Sequence, residues 1–259
     1  MTTTNGGGTH VALVTGGASG LGEAIAGRLA ADGTTVVIAD VDEPRAHQVA
    51  HNITAAGRRA EAMTVDVTSE GEVAAMVDDI VERCGRLDVL VCSAAVETRS
   101  AVVECSDADW QRVIDVNLKG PFLCMKHGIP AIKASGGGAV VLLGSVLGSI
   151  GSPGYAAYCA SKGALVNLAK QAAIEHAPDG VTVNVVSPSA CDTGLFAQMA
   201  ARAPDPDAIK QMVATRTPMG RLGSASEVCD TVAFLASPGA AYISGTVIPL
   251  DGGMAARRA

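Results

Sequence analysis

"VTGGASGLGEAIA", Val14 to Ala26, is the stretch whose reading decides the fold. It follows a short β-branched run, Val11–Thr15, and leads into Leu21–Ala31, which reads as a helix. Gly16, Gly20 and Gly22 stand in the join at G-x-x-x-G-x-G spacing. Glycines let a backbone turn tightly and approach a pyrophosphate closely. The helix N-terminus beyond then offers unpaired N–H groups and the positive end of a dipole. A glycine-rich turn with no ligand has the same composition. The context favours dinucleotide binding: a strand before, a helix after, at the head of an alternating chain.

Further along, "TTVVIA" (34–39), "AEAMTVDV" (60–67), "LDVLVC" (87–92), "GGGAVVLLGS" (136–145) and "VTVNVVS" (181–187) read as strands. Helices are predicted between them. One opens at Pro44 and stops at Gly57. One runs from Ser69 to Cys84, with Glu72 completing a capping box. One covers about 107–133 with a break near Gly120 and Pro121, and one covers 154–170. Nearly continuous apolar strands are buried on both faces, the mark of a parallel sheet wrapped by helices. The expectation is an α/β, doubly wound architecture in a single domain over residues 1–259. Residues 1–9 are polar and read as a flexible lead. Residues 192–217, with "APDPDA" inside, break the pattern and read as an irregular insertion with short helices over the substrate.

The chain of 259 residues is 48% hydrophobic, 17% charged and only 3% aromatic, so a large core must be built from Val, Ile, Leu and Ala. A net charge of −7 argues against nucleic acid, whose partners need clustered Lys and Arg. The polar N-terminus lacks a signal layout, and no apolar run reaches the roughly 18 residues of a spanning helix, so no membrane partner and a cytoplasmic location are expected. The 7 cysteines are scattered with no C-x-x-C pair and read as free thiols of a reducing compartment. His47 and His51 stand at i,i+4 but lack a third ligand, so they read as a solvated helix face, with no metal.

Asp40 ends the second strand. A carboxylate there can accept both hydroxyls of an adenosine ribose and would repel a 2′-phosphate. Val41 follows it, and the glycine loop has no basic residue, so NAD is expected over NADP. Asp40 or Asp42 is alternatively a helix N-cap. In "GYAAYCASKGALVNLAK" (154–170), Tyr158 and Lys162 are one helical turn apart and share a face. A rival phenol, Tyr155, meets Cys159 at the same spacing and is assigned to the substrate wall.

"TGGASGLG", "VNLKG", Ser145, "YCASK" and "SGTVIPLDGG" together resemble the short-chain dehydrogenase/reductase family, from Val11 to Gly253. The resemblance implies a Rossmann-type domain with a seven-stranded parallel sheet, nicotinamide-dependent hydride transfer at an alcohol or carbonyl carbon, and a homotetramer. By position it implies Tyr158 as acid/base, Lys162 as its partner and a ligand of the nicotinamide ribose, and Ser145 at the substrate oxygen. Asn117 would help hold a proton-relay water, and Thr193 would meet the nicotinamide carboxamide. Asp66 would bond an adenine amino group or merely cap a turn. Ser19, Leu21, Val67, Ala94 and Pro188 complete the expected cofactor set. The chain departs from the family pattern at "CSAA" (92–95), where N-N-A-G is usual, and at Pro188-Ser189, where P-G is usual.

A phenol with a pKa near 10 is a poor base at neutral pH. An ammonium one turn away is expected to favour phenolate and bring the group into working range. Val96, Leu147, Tyr155, Leu195, Phe196 and Met199 are the expected pocket walls. That set is apolar and lacks arginine, which points to an uncharged, possibly cyclic secondary alcohol or ketone. Glu97 either recognises extra hydroxyls, as in a polyol or sugar, or points to solvent, the reading favoured here. The competing enzyme reading is an NADPH-dependent 3-oxoacyl-thioester reductase, which Asp40 opposes. A non-catalytic nucleotide-binding scaffold is opposed by the joint presence of Tyr158 and Lys162. The C-terminal stretch reads as a last strand and subunit contact, with residues 255–259 frayed.

Overall fold

The computed structural model describes residues 9–193, 196, 200–201 and 203–256. The expected flexible lead therefore lies outside the described residues except for Thr9. Seven parallel strands form one sheet: β1 (Val11–Thr15), β2 (Thr35–Asp40), β3 (Ala60–Thr64), β4 (Val89–Cys92), β5 (Gly138–Leu143), β6 (Val181–Pro188) and β7 (Val247–Leu250). Their order is β3-β2-β1-β4-β5-β6-β7. The chain winds outward from β1 in one direction, then restarts at β4 in the other. Register is set on both sides of β1, with Val14 opposite Ile38 and Val91. A crevice opens beyond the carboxyl ends of strands where the winding reverses.

Each strand feeds two cores, because successive side chains point to opposite faces. Leu13, Val37, Leu90, Leu142 and Val183 pack on one face with Ile80, Ile132 and Leu165. These come from α3 (Glu70–Cys84), α5 (Gly120–Ala134) and α6 (Ala156–His176). Val14, Ile38, Val91, Val141 and Val186 pack on the other with Ile25, Leu29, Ile53, Val228 and Leu235. Those come from α1 (Gly20–Ala31), α2 (Glu43–Ala55) and a later helix, Ala225–Leu235. Burial on both faces explains why β1, β2, β4, β5 and β6 read as nearly unbroken apolar runs, while the edge strands β3 and β7 are only partly buried.

Several local expectations change. Ser69 precedes α3 but makes no side-chain cap bond, and Glu72 bonds the Asp66 N–H at 2.9 Å instead. The expected capping box is absent there. One forms at Ser224 and Glu227, opening Ala225–Leu235. The long helix does not end at Gly120. It runs from α4 (Asp107–Ile114) through a π-helical turn, Asp115–Lys119, straight into α5. The wider turn lies immediately before Pro121, which has no N–H to give the Asn117 carbonyl its usual helical partner. Within the expected insertion, Pro206–Arg216 is a regular helix, α7, capped by Asp205 bonding the Ala208 N–H at 2.9 Å; Ala225–Leu235 is then α8. The tail is not frayed at Ala255, whose N–H donates to buried Asp251 at 2.7 Å.

Candidate active site

The glycine loop is shaped by close approach. Gly16 (φ +67°) and Gly20 (φ +58°) adopt backbone conformations that side chains disfavour. A Cβ on Gly16 would lie 2.5 Å from Ala94 Cα, and one on Gly22 would lie 2.0 Å from the Gly16 carbonyl oxygen. Ser19 makes no side-chain cap bond, so the first N–H groups of α1 are left for a ligand. Asp40 ties this loop to the end of β2: its Oδ2 accepts the Ala18 N–H at 3.0 Å and its Oδ1 the Asp42 N–H at 3.1 Å. Asp42, not Asp40, is the N-cap of α2, accepting the Arg45 N–H at 3.2 Å.

Arg45 corrects the expectation that no basic group stands near. Its Nε donates to the Ala18 carbonyl at 3.1 Å, and its guanidinium lies 3.5 Å from the Glu23 carboxylate. Sequence alone hid it, because it lies on the helix after Asp40 and not in the loop. Asp66 caps its own turn, with Oδ1 accepting from the Thr68 N–H (2.9 Å) and hydroxyl (2.8 Å).

The other end is built on β5 and α6. Ser145 leaves β5 and heads a 3₁₀ turn, Val146–Gly148, its hydroxyl accepting the Leu147 N–H at 3.2 Å. A Cβ on Gly148 would lie 2.7 Å from the Lys162 carbonyl oxygen, so glycine lets this turn lie directly on α6. Ser145 and Tyr158 thereby line the same cavity, with the Ser145 hydroxyl close enough to favour the ionised phenol. Lys162 is buried one turn on, its Nζ 5.7 Å from the Tyr158 ring centroid and donating to the Leu143 carbonyl at 2.7 Å. Tyr155 meets Tyr158 edge to face, with centroids 6.3 Å apart.

The electrostatics correct the expectation for this pair. Burial pushes the Tyr158 phenol up to about 12. The Ser145 hydroxyl pulls the other way, and the Glu97 carboxylate adds to the rise. Burial likewise brings the Lys162 ammonium down to about 8, against an opposing effect of Cys92. The lysine sits over the ring face, and its proton is committed to a backbone carbonyl. Loss of hydration therefore outweighs the neighbouring charge at both groups.

Asn117 is buried in the π-helical turn, with both ends of its carboxamide hydrogen-bonded. Its Oδ1 accepts the Val96 N–H and its Nδ2 donates to the Val96 carbonyl, each at 2.8 Å, with Ser161 Oγ at 3.3 Å. The carboxamide thus clamps the strand-like segment that forms one pocket wall.

One cavity of about 710 Å³ joins the two ends. Gly16, Ser19, Gly20, Leu21, Asp40 and Asp66 line it at the glycine-loop end. Val67, Ala94, Pro188 and Thr193 continue it to Ser145, Tyr158 and Lys162. Gly22 supports the loop from behind without lining it. Val96, Leu147, Tyr155 and Phe196 form walls as expected; Leu195 and Met199 lie outside the described residues. Glu97 lines the cavity, so the solvent reading fails for it, and Arg216 lines it too, which overturns the expectation of a pocket without arginine. Both are brought in by segments without periodic signal. The Thr193 hydroxyl is buried with no partner among the described residues. Side-chain-free cradle, open helix N-terminus and orphaned hydroxyl together fit a nicotinamide dinucleotide.

The family model described as enoyl-(acyl carrier protein) reductase matches residues 16–255. A cis-4-hydroxycyclohexanecarboxylate dehydrogenase of Sinomonas cyclohexanicum is 41% identical over 248 residues, 95% of this chain and 97% of the relative. A 3-oxoacyl-(acyl-carrier-protein) reductase FabG of Staphylococcus aureus is 36% identical over 247 residues, 95% and 98% of the two chains. The crystal structure of levodione reductase superimposes with a TM-score of 0.92 at 31% identity, covering 97% of this chain and 100% of that one.

Proposed function

The chain belongs to the short-chain dehydrogenase/reductase family, and from that premise we propose an NAD-dependent enzyme for a cyclic secondary alcohol or its ketone. Secondary alcohol/ketone oxidoreduction with a nicotinamide cofactor is the activity of the chain. NAD and the ring are the finer reading. The observation that carries it is one cavity that brings Ser145, Tyr158 and Lys162 together and runs to the glycine loop.

The nicotinamide, when bound, supplies the carbon that accepts or gives hydride. The chain's own residues manage the proton. Ser145 and Tyr158 present two hydroxyls to one substrate oxygen, which orients the reacting carbon and stabilises charge building there. In oxidation Tyr158 receives the alcohol proton; in reduction it donates one to the ketone oxygen. Burial keeps the phenol protonated at neutral pH, the form that donation needs, while making it a weaker acid. In the reverse direction the Lys162 ammonium, charged below about pH 8, only partly offsets the cost that burial sets on phenolate. Asn117 positions the Val96 wall, and Leu147, Phe196 and Ile150 exclude water.

Asp40 at the ribose end of the cavity supports NAD. The cyclohexane alcohol in the name of the 41%-identical relative supports the ring. A second reading, 3-oxoacyl-thioester reduction with NADPH, draws support from the FabG likeness and from Arg45 beside the glycine loop. Exposed Trp110, Phe122 and Phe234 offer apolar surface for the subunits of a homotetramer, and unpaired thiols accord with a cytoplasmic setting.

The test is a panel of cyclic and open-chain secondary alcohols and their ketones with both cofactors, followed by NADH absorbance. Turnover of ring alcohols with NAD at a kcat/KM at least about tenfold above NADP is expected. Faster reduction of a 3-oxoacyl thioester with NADPH would replace this reading with the second.

A further inference from the structure

We propose that Arg216 is a specificity residue that holds a carboxylate carried by the substrate, at the rim of the cavity and apart from the reacting hydroxyl. This rests on the reading of the site as a secondary alcohol/ketone pocket. Arg216 is the last residue of α7 and lines the same cavity as Ser145 and Tyr158.

The other charges of that cavity are committed. Lys162 is buried and bonded to the Leu143 carbonyl. Asp40 and Asp66 hold backbone N–H groups at the glycine-loop end. Glu97 lies close enough to Tyr155 and Tyr158 to raise both phenols. Near α7, Lys210 pairs with Asp192 at 2.8 Å, Asp205 accepts the Ala208 N–H, and Arg221 pairs with Glu227 at 2.6 Å. Arg216 has no hydrogen bond or ion pair among the described residues.

Val213, Leu147 and Phe196 line the same cavity and cannot solvate an anion. Arg216 is exposed at the cavity mouth, where a planar guanidinium can bind a carboxylate with two parallel hydrogen bonds. On the Tyr155 side the charges are mixed, with Glu97 lining the cavity and the Arg99 guanidinium 5.3 Å from the Tyr155 ring centroid. Arg216 therefore sets a polarity for the substrate: carboxylate toward α7, carbinol toward Ser145 and Tyr158. The bland role for Arg216, a cation in the last turn complementing the helix dipole, predicts no preference among substrates.

The experiment compares 4-hydroxycyclohexanecarboxylate with its methyl ester, using wild type, Arg216→Gln and Arg216→Lys, alongside NADH binding by fluorescence. Wild type should favour the acid by about tenfold or more. Arg216→Gln should cut kcat/KM for the acid about 10- to 100-fold through KM, leaving the ester and NADH affinity within about twofold; Arg216→Lys should fall between. Equal losses on acid and ester, no wild-type preference, or weakened NADH binding with the preference intact would overturn the assignment. If neither compound reacts while another secondary alcohol does, the inference falls and the reaction class stands. If no secondary alcohol or ketone reacts with either cofactor, the functional reading fails first.

Discussion

At the glycine-loop end of the cavity, what matters is missing atoms; at the Tyr158 end, it is buried charge. Gly16 and Gly22 work by lacking a Cβ, which would lie 2.5 and 2.0 Å from backbone atoms. Their effect is local and encoded by residue type. Tyr158 and Lys162 work by being enclosed, with burial moving their pKa values in opposite directions, to about 12 and about 8. That effect depends on everything packed around them. One end should therefore fail by shape and the other by protonation.

The largest expected effect is at the reacting end. Tyr158→Phe should lower kcat by about 10³-fold, within the range for a lost general acid, and leave NADH affinity within about twofold. Stopped-flow turnover beside a fluorescence titration checks it; near-normal turnover would remove Tyr158 from the chemistry. The matching break at the other end is Gly22→Ala. Its Cβ collides with backbone, so the loop must open, at a cost of about 1–3 kcal/mol or more. Cofactor Kd should rise about 10- to 100-fold, with kcat at saturation much less changed.

The third prediction isolates burial. Folded Lys162 titrates near 8 and unfolded lysine near 10.4, so between those values the unfolded chain binds more protons. Stability from this group therefore rises with pH through that window and is lowest below it. Wild type should gain about 2 kcal/mol from Lys162 between pH 7 and pH 9.5, and Lys162→Met should lack that gain. Urea denaturation at both pH values measures it; parallel pH curves for the two proteins would refute the burial argument. The smallest effect is at Asp40. Asp40→Asn should shift the NAD/NADP ratio of kcat/KM toward NADP by about tenfold. Removing Arg45 as well should reverse part of the shift, because its guanidinium lies beside the loop.

Legibility followed the same division. The inner strands were readable because burial on both faces leaves nearly unbroken apolar runs, and β1 was placed at its true ends. The Tyr158–Lys162 pairing was readable because i,i+4 neighbours share a helix face whatever surrounds them. The capping box at Ser69 was misread because Glu72 had a competing donor in Asp66 N–H, which local spacing does not reveal. Asn117 was placed near the chemistry, yet its carboxamide serves the Val96 backbone, a partner distant in sequence. Arg45, Glu97 and Arg216 carry no motif; only the folding of α2 against the glycine loop brings Arg45 to it, and only the packing of the segment after β4 and of α7 brings Glu97 and Arg216 to the cavity.

The sequence by itself determined the alternating architecture, the cradle without side chains and the phenol–ammonium pair, because each rests on short-range geometry that residue type dictates. Tertiary structure alone decided which way the phenol and the ammonium shift, which charges are already spent, and which arginine looks into the pocket. Hydration and Coulomb forces at a site are sums over neighbours from remote parts of the chain, and those neighbours are assembled only by the fold.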